Sequence, residues 1–184
     1  RTISLPMAIL KIARMGHPVL LQVCDPVPDP AAPDVQRLIA DMIETMEDAG
    51  GAGLAAPQVH VPLRLFVYRL SADRPGVETP APPRAIINPV VTPAGDDMVL
   101  SWEGCLSIPG LRAGIPRYAR VHLTGLDGDG SAVVIEAEGF HAAIIQHETD
   151  HLNGILYPMR LTDGRLFGFS EEFARYGTPT FEVQ

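Results

Sequence analysis

The chain has 184 residues, of which 46% are hydrophobic, and it carries a formal net charge of −8 at pH 7. This length and composition are typical of one globular domain with a real core. The acidic balance and the absence of a Lys/Arg run argue against DNA or RNA binding through a basic surface. No apolar run approaches the length that spans a bilayer, which argues against a membrane protein.

The N-terminal stretch lacks the sustained apolar segment and the small-residue cleavage site of a secretory signal. We therefore expect a protein that is not exported. Met7 opens the regular stretch MAILKIARMG, so residues 1–6 are expected to be a variable extension or an expression remnant. The predicted single domain covers residues 7–184.

The first predicted element is an amphipathic helix from Asp34 to Ala49, in which apolar residues recur at helical spacing. Pro33 marks its start and Gly50 follows its end. The methionines of this stretch are interpreted as core residues on the buried face of the helix.

Short runs rich in β-forming residues follow the helix. They predict strands at 63–70 (LRLFVYRL), 85–91 (AIINPVV) and 98–102 (MVLSW). The Pro-rich stretch at 71–83 predicts an exposed loop between the first two strands.

Two alternating runs, ARVHLTGL and AVVIEAEG, flank the turn sequence DGDGS and predict an antiparallel hairpin. The next stretch, FHAAIIQHETDHL, predicts a second helix that ends at Asn153-Gly154. Strands in the middle with a helix on each side predict an α+β fold. Its antiparallel or mixed sheets would surround a central metal-binding helix, with a further helix near the N-terminus.

The stretch QHETDH places His147 and His151 four positions apart in the second predicted helix. Side chains at this spacing share one helix face, so both imidazoles could bind one metal ion. Glu148 lies where the general base of an H-E-x-x-H metalloprotease would lie. A catalytic site of this kind usually has a third protein ligand and an open position for water.

The sequence offers three possible sources of a third ligand. A metzincin-type continuation is absent, because Tyr157 occupies the position of the last histidine. A thermolysin-type ligand could come from Glu171 or Glu172, although a solvated acidic helix face is the better interpretation of both. Cys105, at the end of a strand-like run in SWEGCLSIPG, is the stronger candidate. Its thiolate and a neighbouring free amide could be directed at one point.

A third conspicuous stretch is GAGLAAPQ, residues 51–58. Its small residues allow close approach of a substrate backbone, and the amide of Gln58 can donate hydrogen bonds. No G-K-[ST] ending and no following helix are present, so a phosphate-binding loop is not predicted.

Together these three stretches make the sequence resemble the peptide deformylases. These metalloenzymes remove the formyl group from the N-terminal methionine of nascent polypeptides. The family is marked by G-x-G-x-A-A-x-Q, E-G-C-x-S and Q-H-E-x-D-H, which stand here at 51–58, 103–107 and 146–151. The resemblance extends from Met7 to about Phe169.

The resemblance implies a role for each matched residue. Cys105, His147 and His151 would hold the metal, and Glu148 would act as acid and base. The Gln58 side chain and the Leu106 amide would bind the developing oxyanion.

Other positions have supporting roles by the same resemblance. Gly53 would pair with the substrate backbone, while Glu103 and Arg112 would support the site. Asp150 is open to two interpretations, either orienting a ligand or anchoring the helix. The remaining histidines are expected to be structural or surface residues.

The implied metal is Fe2+, with Zn2+, Ni2+ or Co2+ as substitutes. The implied partners are nascent N-formyl-methionyl peptides, in the bacterial cytoplasm or in an organelle. Some relatives have a basic C-terminal helix for the ribosome, whereas this C-terminus is short, mixed in charge and similar to those that end in a strand. Only a transient ribosome contact is therefore expected. Two alternatives remain, an H-E-x-x-H endopeptidase that uses Glu171 or Glu172 and a catalytically silent homologue.

Overall fold

The computed structural model describes residues 8–74 and 76–179, so the expectation for residues 1–6 lies outside the described residues. Three α-helices and eight β-strands occur in this part of the chain. The helices are α1 (Pro33–Asp48), α2 (Gly139–Leu152) and α3 (Ser170–Tyr176). The strands are β1 (Gly53–Ala55), β2 (Leu65–Leu70), β3 (Ala81–Pro93), β4 (Met98–Cys105), β5 (Ile108–Tyr118), β6 (Arg120–Asp127), β7 (Ala132–Glu138) and β8 (Phe167–Phe169). Within the described ranges, no helix is both long and apolar enough to cross a membrane.

The larger sheet has five strands in the order β1-β2-β3-β6-β7, and all of its pairings are antiparallel. β6 and β7 form the predicted hairpin, with Leu126 opposite Ala132 at its closed end. Helix α1 packs on this sheet through Met42 and Met46, both fully buried. The predicted α+β class, the first helix and the hairpin are therefore confirmed.

The smaller sheet has three antiparallel strands in the order β4-β5-β8. β4 and β5 form a hairpin in which Cys105 pairs with Ile108, and Leu106 and Ser107 make the turn. β5 was not predicted, because its prolines and glycines obscure the period-2 pattern of a strand. The hairpin places Cys105 and the following amide at the end of the sheet.

One local expectation was wrong. The predicted loop at 71–83 ends earlier, because β3 begins at Ala81 and pairs there with Leu70. The prolines of the predicted loop that fall in β3 are tolerated, because pairing between β3 and β6 begins only at Ile86. GAGLAAPQ contains the short strand β1 and continues into a 3-10 turn, Ala56–Val59. The expected C-terminal strand stays a prediction, because β8 is followed by α3 and residues 180–184 lie outside the described ranges.

Helix α2 contacts strands of both sheets, among them β1, β2, β5 and β7. The side chain of Gln146 in α2 forms two hydrogen bonds with the backbone of Tyr118 at the end of β5, at 2.9 and 3.0 Å. At its C-terminus, the Leu152 carbonyl accepts a hydrogen bond from the Cys24 amide at 2.9 Å. These contacts fix the position of the predicted metal-binding helix relative to β5 and to the segment around Cys24.

Candidate metal centre

Three potential metal ligands from two distant segments converge in the structure. Each of Cys105, His147 and His151 offers one ligand atom, and these three atoms lie within 4.8 Å of one another. The Cys105 sulfur is 3.3 Å from Nε2 of His151. The two histidines lie on successive turns of α2, with ring centroids 5.0 Å apart. The structure therefore brings together the three residues that the resemblance had assigned to the metal.

Glu103 orients the first histidine. Its Oε2 lies 2.8 Å from Nδ1 of His147, so the opposite ring nitrogen, Nε2, remains for a metal. Burial alone would raise the pKa of Glu103, but hydrogen bonds from Arg117 and His147 outweigh it and lower the pKa to about 2. Glu103 is therefore a permanent carboxylate at neutral pH.

A buried ion network continues behind Glu103. Arg117 donates to Oδ2 of Asp150 at 2.6 Å as well as to Glu103. Arg160 donates two further hydrogen bonds to Asp150, each at 2.6 Å. Both open interpretations of Asp150 thus have a structural basis, since it anchors α2 to β5 and reaches His147 through Arg117 and Glu103.

Sequence reasoning assigned the supporting arginine to Arg112. The structure places Arg112 at an exposed hydrogen bond to the Trp102 carbonyl, whereas Arg117 is the arginine that binds Glu103. Ala113, Ile115 and Arg117 share the inward face of β5 and all are buried, but that face was hidden in the sequence because the strand itself was not predicted. An arginine on an inward face needs a buried anionic partner.

Glu148 lies beside the ligand group with only 4% of its surface exposed. Its Oε2 has no hydrogen-bond partner among the described residues. Burial raises the pKa of Glu148 to about 7, and the neighbouring histidines only partly offset this effect. A carboxylate with this pKa is suited to accept and return a proton near neutral pH.

The side chain of Gln58 is directed at the same centre. Its Oε1 accepts a hydrogen bond from the Ala55 amide at 2.8 Å, which fixes the side-chain orientation. Its Nε2 lies 3.1 Å from Oγ of Ser107 and 3.4 Å from the sulfur of Cys105. The amide nitrogen is therefore a preoriented donor at the ligand group, and Leu106 lies in the adjoining turn.

A strap near the N-terminus joins the two loops of the site, which sequence reasoning did not predict. The Ala13 amide donates to the Gln58 carbonyl at 2.7 Å, and the Met15 amide donates to the Ser107 carbonyl at 2.8 Å. Such backbone bonds depend on no side-chain type, so no sequence motif reveals them.

The donor set fits a borderline or soft divalent metal, since it combines one thiolate with two imidazoles. Burial would raise the pKa of Cys105, but His151 and His147 outweigh it and hold that pKa well below its ordinary value. The sulfur is therefore in its ligand form at neutral pH. The alternative ligands Glu171 and Glu172 are exposed on α3 and are not in the ligand group.

Comparison with known proteins identifies the family. The family model for polypeptide deformylase matches residues 9–166. The chain belongs to the polypeptide deformylase family. It is 48% identical to peptide deformylase 2 of Ralstonia nicotianae over 164 residues, which is 89% of this chain and 93% of that relative.

Solved structures agree with this family. A class I type b peptide deformylase from Acinetobacter baumannii bound to Met-Ala-Ser has a TM-score of 0.79 at 32% identity, covering 85% of this chain and 100% of that one. Peptide deformylase from Ehrlichia chaffeensis in complex with actinonin has a TM-score of 0.79 at 35% identity, covering 85% and 91%. This chain is accordingly a metal-dependent hydrolase of the deformylase family. The endopeptidase alternative receives no support from these comparisons.

Proposed function

We propose that this chain hydrolyses the N-terminal formyl amide of nascent formyl-methionyl peptides at a metal held by Cys105, His147 and His151. The products are formate and a free N-terminus, so the enzyme acts in N-terminal processing during protein biosynthesis. The observation that carries the proposal is the convergence of this ligand group with a buried carboxylate, Glu148, and an oriented amide, Gln58.

The residues divide the chemistry between them. When bound, the metal supplies a Lewis acid that lowers the pKa of water toward about 7. Glu148 accepts a proton from the attacking water and returns it to the departing amine. The Nε2 of Gln58 and the amide of Leu106 donate hydrogen bonds to the formyl oxygen as negative charge develops on it.

The substrate backbone has a place to bind beside β1. Among the described residues, this strand is at the edge of its sheet and pairs only with β2. An extended peptide can add to such an edge through backbone hydrogen bonds, and Gly53 would supply them. The Acinetobacter baumannii deformylase bound to Met-Ala-Ser supports a short peptide as the ligand of this fold.

Fe2+ is the proposed native metal, with Zn2+, Ni2+ or Co2+ as working substitutes. The single thiolate of Cys105 adds negative charge that a third histidine would not, and this tempers the acidity of the ion. Metal analysis of protein purified without oxygen tests the assignment.

We further propose that residues 7–184 form one catalytic domain that works in the bacterial cytoplasm. Contact with the ribosome is proposed to be transient, because the net charge is −8 and the first turn of α3 carries Glu171 and Glu172. Sedimentation with ribosomes at low and moderate salt tests this contact, since an electrostatic contact weakens with salt.

The assay for the reaction distinguishes cleavage of the formyl amide from cleavage of the internal peptide bonds of one peptide. Metal-loaded protein is incubated with N-formyl-Met-Ala-Ser, and both formate and internal cleavage products are measured. A deformylase releases formate and leaves Met-Ala-Ser whole. Internal cleavage without formate would instead support an endopeptidase, and neither product would support a silent homologue.

A further inference from the structure

The α-carbon of Gly53 lies directly against the side chain of Glu148. A methyl carbon at position 53 would be 2.2 Å from Oε1, 2.7 Å from Cδ and 2.9 Å from Cγ of Glu148. Heavy atoms do not approach a side-chain β-carbon this closely, so the whole end of the glutamate would have to move. The displacement needed to restore an ordinary contact of 3.4 Å exceeds one ångström.

Backbone conformation does not explain this glycine. Gly53 lies in β1, opposite Tyr68, and is not among the glycines with positive φ. Gly50, three residues earlier, shows the opposite case, because its φ is +66° and a methyl carbon there would meet nothing within 4 Å. Gly50 therefore serves the backbone turn, whereas Gly53 provides space.

Glu148 depends on its packing for its position. Its Oε2 has no hydrogen-bond partner within the described residues, and its side chain is buried. Glu103 differs, since two arginine hydrogen bonds and one from His147 hold its carboxylate. The Glu148 carboxylate therefore packs against the backbone of β1 at Gly53, and this contact determines where it lies.

We infer that Gly53 is a positioning residue. Because it has no side chain, the Glu148 carboxylate has room to lie at the metal centre. This inference rests on the proposed function and adds to the backbone role of Gly53, which alanine would preserve. A misplacement of about 1 Å in catalytic geometry costs on the order of 100-fold in rate. Gly53→Ala should therefore lower kcat by about that factor and leave KM nearly unchanged.

A double-mutant cycle in unfolding tests the contact without any activity measurement. The Tm of metal-loaded protein is measured for Gly53→Ala, Glu148→Ala, the double variant and the parent. Gly53→Ala is expected to lower Tm by about 3–10 °C in the parent, because overpacking is destabilising. It should cost nothing in the Glu148→Ala background, where the three clashing atoms are gone. An equal loss of Tm in both backgrounds would overturn the inference.

Kinetics and peptide binding complete the test. Gly164→Ala is the control, because a methyl carbon there meets nothing within 4 Å and its φ is not positive. It should change neither Tm nor kcat. In the Glu148→Ala background, Gly53→Ala should leave the Kd of Met-Ala-Ser unchanged, since the backbone of β1 is kept. Parent-level kcat in Gly53→Ala would also overturn the inference. If the parent itself released no formate, the proposed function would fail while the Tm cycle still decided the contact.

Discussion

Arg117 binds both carboxylate oxygens of Glu103, with Nε 2.7 Å from Oε1 and Nη2 2.9 Å from Oε2. The side chains are only 3% and 7% exposed. Glu103 in turn orients His147, so the arginine on β5 governs a proposed metal ligand on α2. Removing one partner of such a buried pair strongly destabilises a protein, because the remaining charge stays buried without a counter-ion.

Arg117→Ala is expected to lower the free energy of unfolding by about 3–5 kcal/mol, because Glu103 and Asp150 both lose a buried partner. Metal affinity should fall by about 10–100-fold, since the support of His147 is weakened. Urea unfolding and metal titration measure the two effects. Arg112→Ala is the control from the same strand and should stay within about 0.5 kcal/mol of the parent. Equal losses in both variants would contradict the assignment to Arg117.

Gln58→Glu should reduce kcat by about 100- to 1000-fold, because the substitution replaces an oriented donor with a carboxylate of the same size. The retained oxygen can still accept from the Ala55 amide, so the local fold should persist. Steady-state kinetics with N-formyl-Met-Ala-Ser and circular dichroism measure the two properties. A variant that is folded and keeps the parental kcat would remove Gln58 from oxyanion binding.

Glu148→Gln should stabilise the metal-free protein in a pH-dependent manner. Burial raises the pKa of Glu148 from its ordinary 4.5 to about 7. The parent therefore has no ionisation cost below pH 4.5, a growing cost as pH rises toward 7, and a constant cost above that. The advantage of the variant should grow over this window to the order of 3 kcal/mol. Unfolding curves from pH 4 to 9 measure it, and a difference independent of pH would contradict the shift.

The iron-loaded enzyme should lose activity in air, and a reductant should slow the loss. Cys105 has a pKa held well below its ordinary value and is the thiolate of the ligand group. Cys24 is the internal control, because burial raises its pKa to about 11. Peptide mass spectrometry should find oxidation at Cys105 and not at Cys24. Stable activity in air would count against this account of the thiolate.

Sequence patterns were sufficient where local chemistry determined the structure. The DGDGS turn defined the β6–β7 hairpin, helical spacing defined α1, and helix-forming residues with the Asn153-Gly154 stop defined α2. The strands β1 and β5 were missed, because glycines and prolines masked their alternation. β5 nevertheless carries Arg117, which explains why that residue was also missed.

The site likewise combines features that local sequence motifs predict with features that depend on tertiary packing. Three motifs together indicated Cys105, His147, His151, Glu148 and Gln58, and the structure brings these residues together. The pairing of Arg117 with Asp150 spans 33 residues and depends on tertiary packing, which no local pattern encodes. The contact of Gly53 with Glu148 is equally non-local, although glycine spacing had marked the segment.

On the proposed mechanism, formyl hydrolysis needs both the Cys105–His147–His151 metal site and the carboxylate of Glu148. Formate release from N-formyl-Met-Ala-Ser, measured together with metal content per chain, tests it most directly. The parent should bind one metal and release formate. Glu148→Ala should keep the metal and lose formate release, and Cys105→Ala should lose both. Full formate release by either variant, or none by the metal-loaded parent, would contradict this requirement.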